Sequence, residues 1–182
     1  MRNSVRTAAV VGLLLGGSPA GAENFFDIDI GVVYSDVSAS EPSPVDGDFS
    51  SGEAGYHFAI GAYRNKDESP WIYGVKFEAQ DAVGHSLLAV RAIDVGYRFT
   101  PKFVFNGFLG ASRYDLTTAA YGYRLGIGAQ YQLSDSWSVG SEFVFNDKLA
   151  RDKVLPEESP GVGSPDIFYD IFQLSVFVKY RF

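Results

Sequence analysis

Apolar and polar residues alternate with a period of two through most of the chain beyond residue 22. In NFFDIDIGVVYSDV, Phe26, Ile28, Ile30, Val32 and Tyr34 share one face, and Asp27, Asp29, Gly31 and Ser35 share the other. The period is that of a strand, whose side chains point to opposite sides in turn. YHFAIGAYRN sets Tyr56, Phe58, Ile60 and Ala62 against His57, Ala59 and Gly61. WIYGVKFEAQD sets Trp71, Tyr73, Val75, Phe77 and Ala79 against Gly74, Lys76, Glu78 and Gln80. LLAVRAIDVGYRF gives Ile93, Val95, Tyr97 and Phe99 against Asp94, Gly96 and Arg98.

The second half repeats the scheme. Phe103, Phe105, Leu109 and Ala111 make the apolar face of the least regular segment. Tyr121, Tyr123, Leu125, Ile127, Ala129, Tyr131 and Leu133 make that of the cleanest. Trp137, Val139, Phe143 and Phe145 follow, and last come Phe172, Leu174, Val176, Val178, Tyr180 and Phe182. Eight strands of roughly 10–13 residues result, the length of a tilted membrane-crossing strand. The connections alternate: short at Lys66 to Pro70, Thr100 to Lys102 and Ser134 to Ser136, longer or softer at Ser38 to Gly55, Ala82 to Ser86, Tyr114 to Ala120 and Asp147 to Phe168. Short periplasmic turns opposite longer outer loops are the habit of outer-membrane barrels. The predicted fold class is all-β: an eight-stranded antiparallel up-and-down transmembrane β-barrel.

Alternation alone does not say which face meets solvent, since a soluble barrel puts its apolar face inside. Three features predict lipid outside. Gly31, Gly61, Gly74, Gly96, Gly110, Gly122, Gly126, Gly128 and Gly140 all fall on the polar face, and Gly107 on the apolar one. Glycine weakens a strand, so the bias marks the polar face as the crowded interior, with room needed beside Arg124, Glu142 and Lys179. Aromatic residues collect at both strand ends, as membrane-interface girdles do. Asp27, Asp29, Glu78, Asp94 and Glu142 can balance Lys76, Arg98, Arg124, Lys179 and Arg181 across a narrow lumen, where unpaired charges would be costly. These ten residues are the predicted luminal charge network, and it predicts a filled lumen. Arg91 falls on the lipid face by parity, unless a β-bulge turns it inward.

The first 22 residues lie outside this pattern. Arg2 and Arg6 precede the apolar run Ala8 to Leu15, and Ser18-Pro19-Ala20-Gly21-Ala22 ends like a signal-peptidase site. The expected division is a signal peptide over 1–22 and a barrel domain over 23–182, with cleavage near Ala22. Without Arg2 and Arg6, 13 of the 15 Lys and Arg remain against 22 Asp and Glu, a formal charge of −9. That balance argues against a nucleic-acid partner. The chain has no cysteine, so no disulfide can hold an exported fold together. No later apolar run is long enough for a membrane helix.

The closing strand LSVFVKYRF, with Leu174, Val176, Val178, Tyr180 and Phe182 on one face, resembles the C-terminal signal that the barrel-assembly machinery reads in bacterial outer-membrane proteins. The whole chain beyond residue 22 resembles the small eight-stranded superfamily of opacity proteins and the OmpA transmembrane domain. YGYRLGIGAQYQLSDSWSVGSEF, Tyr121 to Phe143, is similar to the penultimate hairpin of that superfamily. The resemblance implies a place in the outer membrane among its lipid and lipopolysaccharide, and a structural or adhesin-like surface role carried by loops. The peptidoglycan-binding domain of full-length OmpA is not expected after Phe182.

Chemistry is sparse. His57 and His85 are the two imidazoles. The barrel deacylase of lipid A presents His-x-Ser on one strand face; here His85 and Ser86 are adjacent and point apart in an extended chain. No catalytic residue, cofactor or metal site is expected. Glu41, Asp46, Asp48 and Glu53 make the first loop acidic, a set too scattered for a calcium cage although ions could bridge it to lipopolysaccharide phosphates. An extracellular partner would meet the loops at 38–55 and 147–168. The alternative functions are a channel for small or hydrophobic solutes and a lipid A-modifying enzyme.

Overall fold

The computed structural model describes residues 22–40, 49–66, 69–115, 119–151 and 168–182. Eight strands run in chain order: β1 (Ala22–Ser40), β2 (Phe49–Lys66), β3 (Trp71–Ala82), β4 (His85–Arg98), β5 (Phe103–Asp115), β6 (Ala119–Gln132), β7 (Trp137–Arg151) and β8 (Phe168–Arg181). Each pairs antiparallel with the next, and β8 returns to β1, so the sheet closes as a barrel. The strands are 12 to 19 residues long; β3 and β5 keep the expected length, and the others exceed it because pairing continues past the apolar belt toward the loops. No helix among the described residues is long and apolar enough to cross a membrane.

The faces divide as the lipid-outside arrangement requires. Ile30, Val32, Ile127 and Val176 are 54–67 % exposed, while Asp29, Lys76 and Arg124 are fully buried. An apolar belt of this extent around the whole molecule marks a membrane surface. At the turn end Trp71 packs edge-on against Tyr97 and Trp137 against Tyr180, with centroids 4.9 and 4.8 Å apart. At the loop end Phe172 packs with Phe143 and Phe145, while Tyr34, Tyr56 and Tyr123 stand exposed. These are the two girdles.

One sequence expectation is corrected, and one left open is decided. The Ala82 to Ser86 connection is not a long loop. It is a two-residue turn in which Val83 (φ 53°) and Gly84 (φ 72°) both take the left-handed conformation that a tight hairpin demands. The turn leans into the barrel mouth: the Tyr114 hydroxyl donates to the Ala82 carbonyl at 3.0 Å, and Ser35 Oγ to the Asp81 carbonyl at 3.4 Å. The other long connections shrink to 41–48, 116–118 and 152–167, which lie outside the described residues.

The direction of Arg91, which the alternation left open between the lipid face and a bulge, is inward. The side chain is fully buried inside the barrel. On β4 the partner register skips across Ala92 and Ile93, with Gly74 opposite Asp94 but Lys76 opposite Arg91, and with Arg91 opposite Gly110 but Ile93 opposite Leu109. One extra residue reverses the phase of the alternation, so Leu87, Ala89 and Arg91 point in before the bulge and Asp94 and Gly96 after it. An arginine on the lipid face is avoided by a backbone irregularity.

The glycines on the polar face are crowded as expected, but chiefly by rings and backbone. A Cβ at Gly61 or Gly74 would strike the Tyr63 ring, at Gly126 the Phe108 ring, and at Gly140 the Phe177 ring. At Gly110 it would run into the Val90 carbonyl oxygen and the Arg91 Cα. Gly107, on the lipid face, has open space around it. The rings of Tyr63, Phe108 and Phe177, with those of Phe25 and Tyr114 nearer the two ends, thus occupy a lumen that the pattern assigned to polar groups.

Candidate functional site

The lumen is a layered structure. Its loop end is closed by an apolar cluster of Val37, Ala82, Leu87, Ala89, Tyr114, Ala120 and Ile171. Its turn end carries a smaller one of Phe25, Tyr63 and Ile72, against which Val104 packs. The ionic groups lie between these layers.

Arg91 is the hub. Its Nη1 donates to Glu142 Oε1 at 2.9 Å and its Nη2 to Glu142 Oε2 at 2.5 Å, a two-pronged pairing that suits a planar guanidinium. The same group bonds Glu78 and approaches Asp94 at 3.3 Å. Its Cζ sits 3.5 Å from the Phe108 ring centroid, so the ring that Gly126 accommodates also supports the cation. Asn106 donates to Glu142 Oε1 at 3.2 Å, and the Tyr63 hydroxyl to Asp94 at 2.9 Å.

Arg124 is the second knot. Its Nε pairs with Glu78 Oε2 at 2.7 Å, so Glu78 bridges the two arginines. The remaining donors of Arg124 reach Asn146 (2.9 Å), Gln173 (2.8 Å) and Gln80 (3.2 Å). Gln173 in turn donates to Ser35 at 2.9 Å, and Gln80 to His57 Nδ1 at 2.7 Å, so β1, β2, β3, β6, β7 and β8 are joined through polar side chains. Toward the turn end Lys76 meets Asp29 at 2.5 Å, and Lys179 meets Asp27 at 2.9 Å and Asp29 at 3.8 Å. Both ammonium groups lie within 6.0 Å of the Tyr63 and Phe177 ring centroids.

Of the ten residues expected in the network, Asp27, Asp29, Lys76, Glu78, Asp94, Arg124, Glu142 and Lys179 are buried within it. Arg181 is half-buried at the turn-end mouth, its guanidinium 4.1 Å from the Phe25 ring centroid, and Arg98 is half-buried at the same mouth. Gln80, Asn106, Asn146, Gln173 and the rings of Tyr63, Phe108 and Phe177 join the eight without having been singled out from the sequence, and Arg91, turned in by the bulge, joins them too. Two polar cavities of about 30 and 20 Å³ open near the turn end, the first beside Asp27, Asp94, Asn106 and Lys179 and the second beside Gln130, Ser138 and Arg181. Each has room for about one water molecule. The lumen is packed.

The two histidines lie in different surroundings. His57 is buried and stacks on Phe177 with centroids 5.5 Å apart. His85 is exposed beside the β3–β4 turn, edge-on to Tyr114, while Glu78 is held by Arg91 and Arg124 deeper in the barrel. Among the described residues no three His, Cys, Asp or Glu converge on a metal-sized site. In the first acidic loop Glu41, Asp46 and Asp48 lie outside the described residues. The outward row Leu174, Val176, Val178, Tyr180 and Phe182 lies on the lipid face, and the Phe182 amide donates to the Phe26 carbonyl at 3.0 Å, fastening the last residue to β1.

No protein-family model and no curated protein matches the sequence. Solved structures do match. Ail, the attachment invasion locus protein of Yersinia pestis, solved in complex with the heparin analogue sucrose octasulfate, is 12 % identical with a TM-score of 0.53; the match covers 88 % of this chain and 99 % of Ail. Neisserial surface protein A is 14 % identical with a TM-score of 0.52, covering 89 % of this chain and 99 % of that one. The fold is that of the small eight-stranded outer-membrane barrels. At such identities the likeness extends to architecture, and the chemistry rests on this chain's own residues.

Proposed function

We propose that this protein is an integral protein of the bacterial outer membrane, a closed barrel that carries surface-exposed loops for interaction or envelope integrity, with no transport or catalytic step. The observation that carries this reading is the ionic knot of Arg91, Glu78, Glu142 and Arg124, which fills the lumen at mid-depth with paired, fully buried groups. A solute would have to separate these pairs in a low-dielectric interior, at a cost of several kcal/mol per uncompensated ion. What is left to act is the rim. The chain's termini and short turns would face the periplasm, and the connections within 38–55 and 147–168 would face outward to an extracellular partner, in a surrounding of lipopolysaccharide.

Biogenesis in this reading begins with a signal peptide over 1–22. The barrel-assembly machinery would then engage the lipid-facing row from Leu174 to Phe182. The sucrose octasulfate in the Ail complex is a polyanion, whereas Glu41, Asp46, Asp48 and Glu53 make the first loop of this chain acidic. A sulfated glycan is therefore not carried over as the ligand here.

The test is expression of the full chain in a Gram-negative host. A product in the outer-membrane fraction whose gel mobility shifts on boiling, which is silent in a planar lipid bilayer and leaves the lipid A mass spectrum unchanged, is the expected result. Deleting 41–48 or 152–167 should then alter adhesion of the expressing cells without altering the heat shift. Steady single-channel openings would replace this reading with a channel, and altered lipid A acylation would replace it with an enzyme.

A further inference from the structure

Two cross-strand rows run side by side over the lipid face of β2 to β6. One is Phe58–Ala79–Leu88–Arg113–Tyr121 and the other Ile60–Phe77–Val90–Ala111–Tyr123. Ala79 and Ala111 are short residues set among tall ones, and the surface sinks there into a groove of about 490 Å³ with almost wholly apolar walls. That is the size of a small-molecule site. Arg113 and Tyr121 border it toward the loops.

The depth of Arg113 is telling. It lies ten residues along β5 from Phe103, a member of the turn-end girdle. At about 3.4 Å per residue and a tilt of roughly 40°, that places it about 25 Å up the barrel axis, at the opposite headgroup level. The guanidinium donates to Asp115 at 2.6 Å through Nη2, while its Nε is buried and has no partner. An arginine has five N–H donors, so the Asp115 contact leaves capacity for an anionic oxygen.

We propose that this groove is a binding site for one acyl chain of an anionic, phosphate-bearing lipid in the leaflet at the loop end, with the phosphate held by Arg113 and by the Tyr121 hydroxyl. The apolar groove supplies the chain's seat and Arg113 the preference for negative charge; Asp115 tempers that preference by competing for the same guanidinium. The site rests on the membrane-spanning fold but not on the surface role of the loops.

The test uses the chain from residue 23 refolded in detergent micelles and examined by native mass spectrometry with phosphatidylglycerol or phosphatidylcholine of equal chain length. Each variant is first required to show the heat-dependent gel shift, which reads folding separately from lipid binding. Wild type should retain one phosphatidylglycerol about fivefold better than phosphatidylcholine, the effect of a single basic residue at an anionic lipid surface. Arg113→Gln should equalise the two lipids, Arg113→Lys should keep most of the preference, and Asp115→Asn should increase it. Ala111→Phe, filling the groove, should weaken retention of both. Equal retention of the two lipids by wild type, or an unchanged preference in Arg113→Gln, would overturn the proposal. Failure here with the heat shift intact would leave the outer-membrane reading standing, and loss of the heat shift in wild type would remove both.

Discussion

Arg91 and Glu142 stand 51 residues apart in sequence and meet inside the barrel through two parallel hydrogen bonds, 2.9 and 2.5 Å long. The contact joins β4 to β7 across the lumen, where no backbone ladder links them. A buried pair of this kind adds little over a well-packed apolar pair, but removal of one partner strands the other. Arg91→Leu leaves Glu78, Glu142 and Asp94 close together without their shared cation. It should destabilise the barrel by about 3–5 kcal/mol, measured by urea unfolding in lipid vesicles. The double variant R91L/E142L should recover a substantial part of that loss, because only one excess carboxylate, Asp94, then remains beside the replaced arginine while Glu78 keeps Arg124. Additive losses in the double variant would mean that the two residues act independently.

The bulge at Ala92 and Ile93 is the device that turns Arg91 inward. Deleting Ala92 leaves Arg91 and Asp94 two positions apart, so one unbroken alternation then carries both into the lumen and the register to β3 and β5 becomes regular. No charged group is moved to mid-membrane, where it would cost about 2–4 kcal/mol, and the network keeps its members. The deletion should therefore leave the heat-dependent gel shift in place, as should Ala92→Leu, which keeps the bulge. Loss of the shift on deletion would mean that the bulge itself is needed for closure.

The glycine bias makes a paired prediction. Gly110 packs against the Val90 carbonyl and Arg91 Cα, backbone atoms that cannot step aside, whereas Gly107 on the lipid face meets nothing close. Gly110→Val should prevent closure of the barrel and yield no heat-shifted form. Gly107→Val, on the same strand three residues away, should change unfolding free energy by no more than about 0.5 kcal/mol.

The barrel and its lipid-facing side were legible because alternation has only two phases and every strand is long enough to show which one it is in. The luminal acids and bases followed from the same parity. Arg91 was left open because one phase was carried through the whole of β4, although the outward residues Leu88 and Val90 fall on even positions while Ile93, Val95 and Tyr97 fall on odd ones. That reversal was the available signal of the bulge. The inward rings of Tyr63, Phe108 and Phe177 carry no such mark, because an apolar residue on a polar face reads as noise until the glycine opposite it is known. The Val83-Gly84 turn was hidden for another reason: valine is a poor resident of the left-handed region, and only the pairing of Ala82 with His85 imposes it there.

Phe182 separates recognition from stability. Its ring is 67 % exposed toward lipid and packs edge-on against Tyr180 with centroids 4.9 Å apart, while its backbone amide closes onto Phe26. Phe182→Ser keeps the amide bond and removes a ring that touches mostly membrane. If the row from Leu174 to Phe182 is read by assembly machinery, the variant should reach the outer membrane at several-fold lower level in cells. Refolded from urea into detergent micelles, where no machinery is present, it should fold with wild-type yield and an unfolding midpoint close to wild type. An equal deficit in both settings would assign the ring to barrel stability. A deficit in cells alone would assign it to biogenesis, and Tyr180→Ser, which also strips the Trp137 contact, should then show both effects at once.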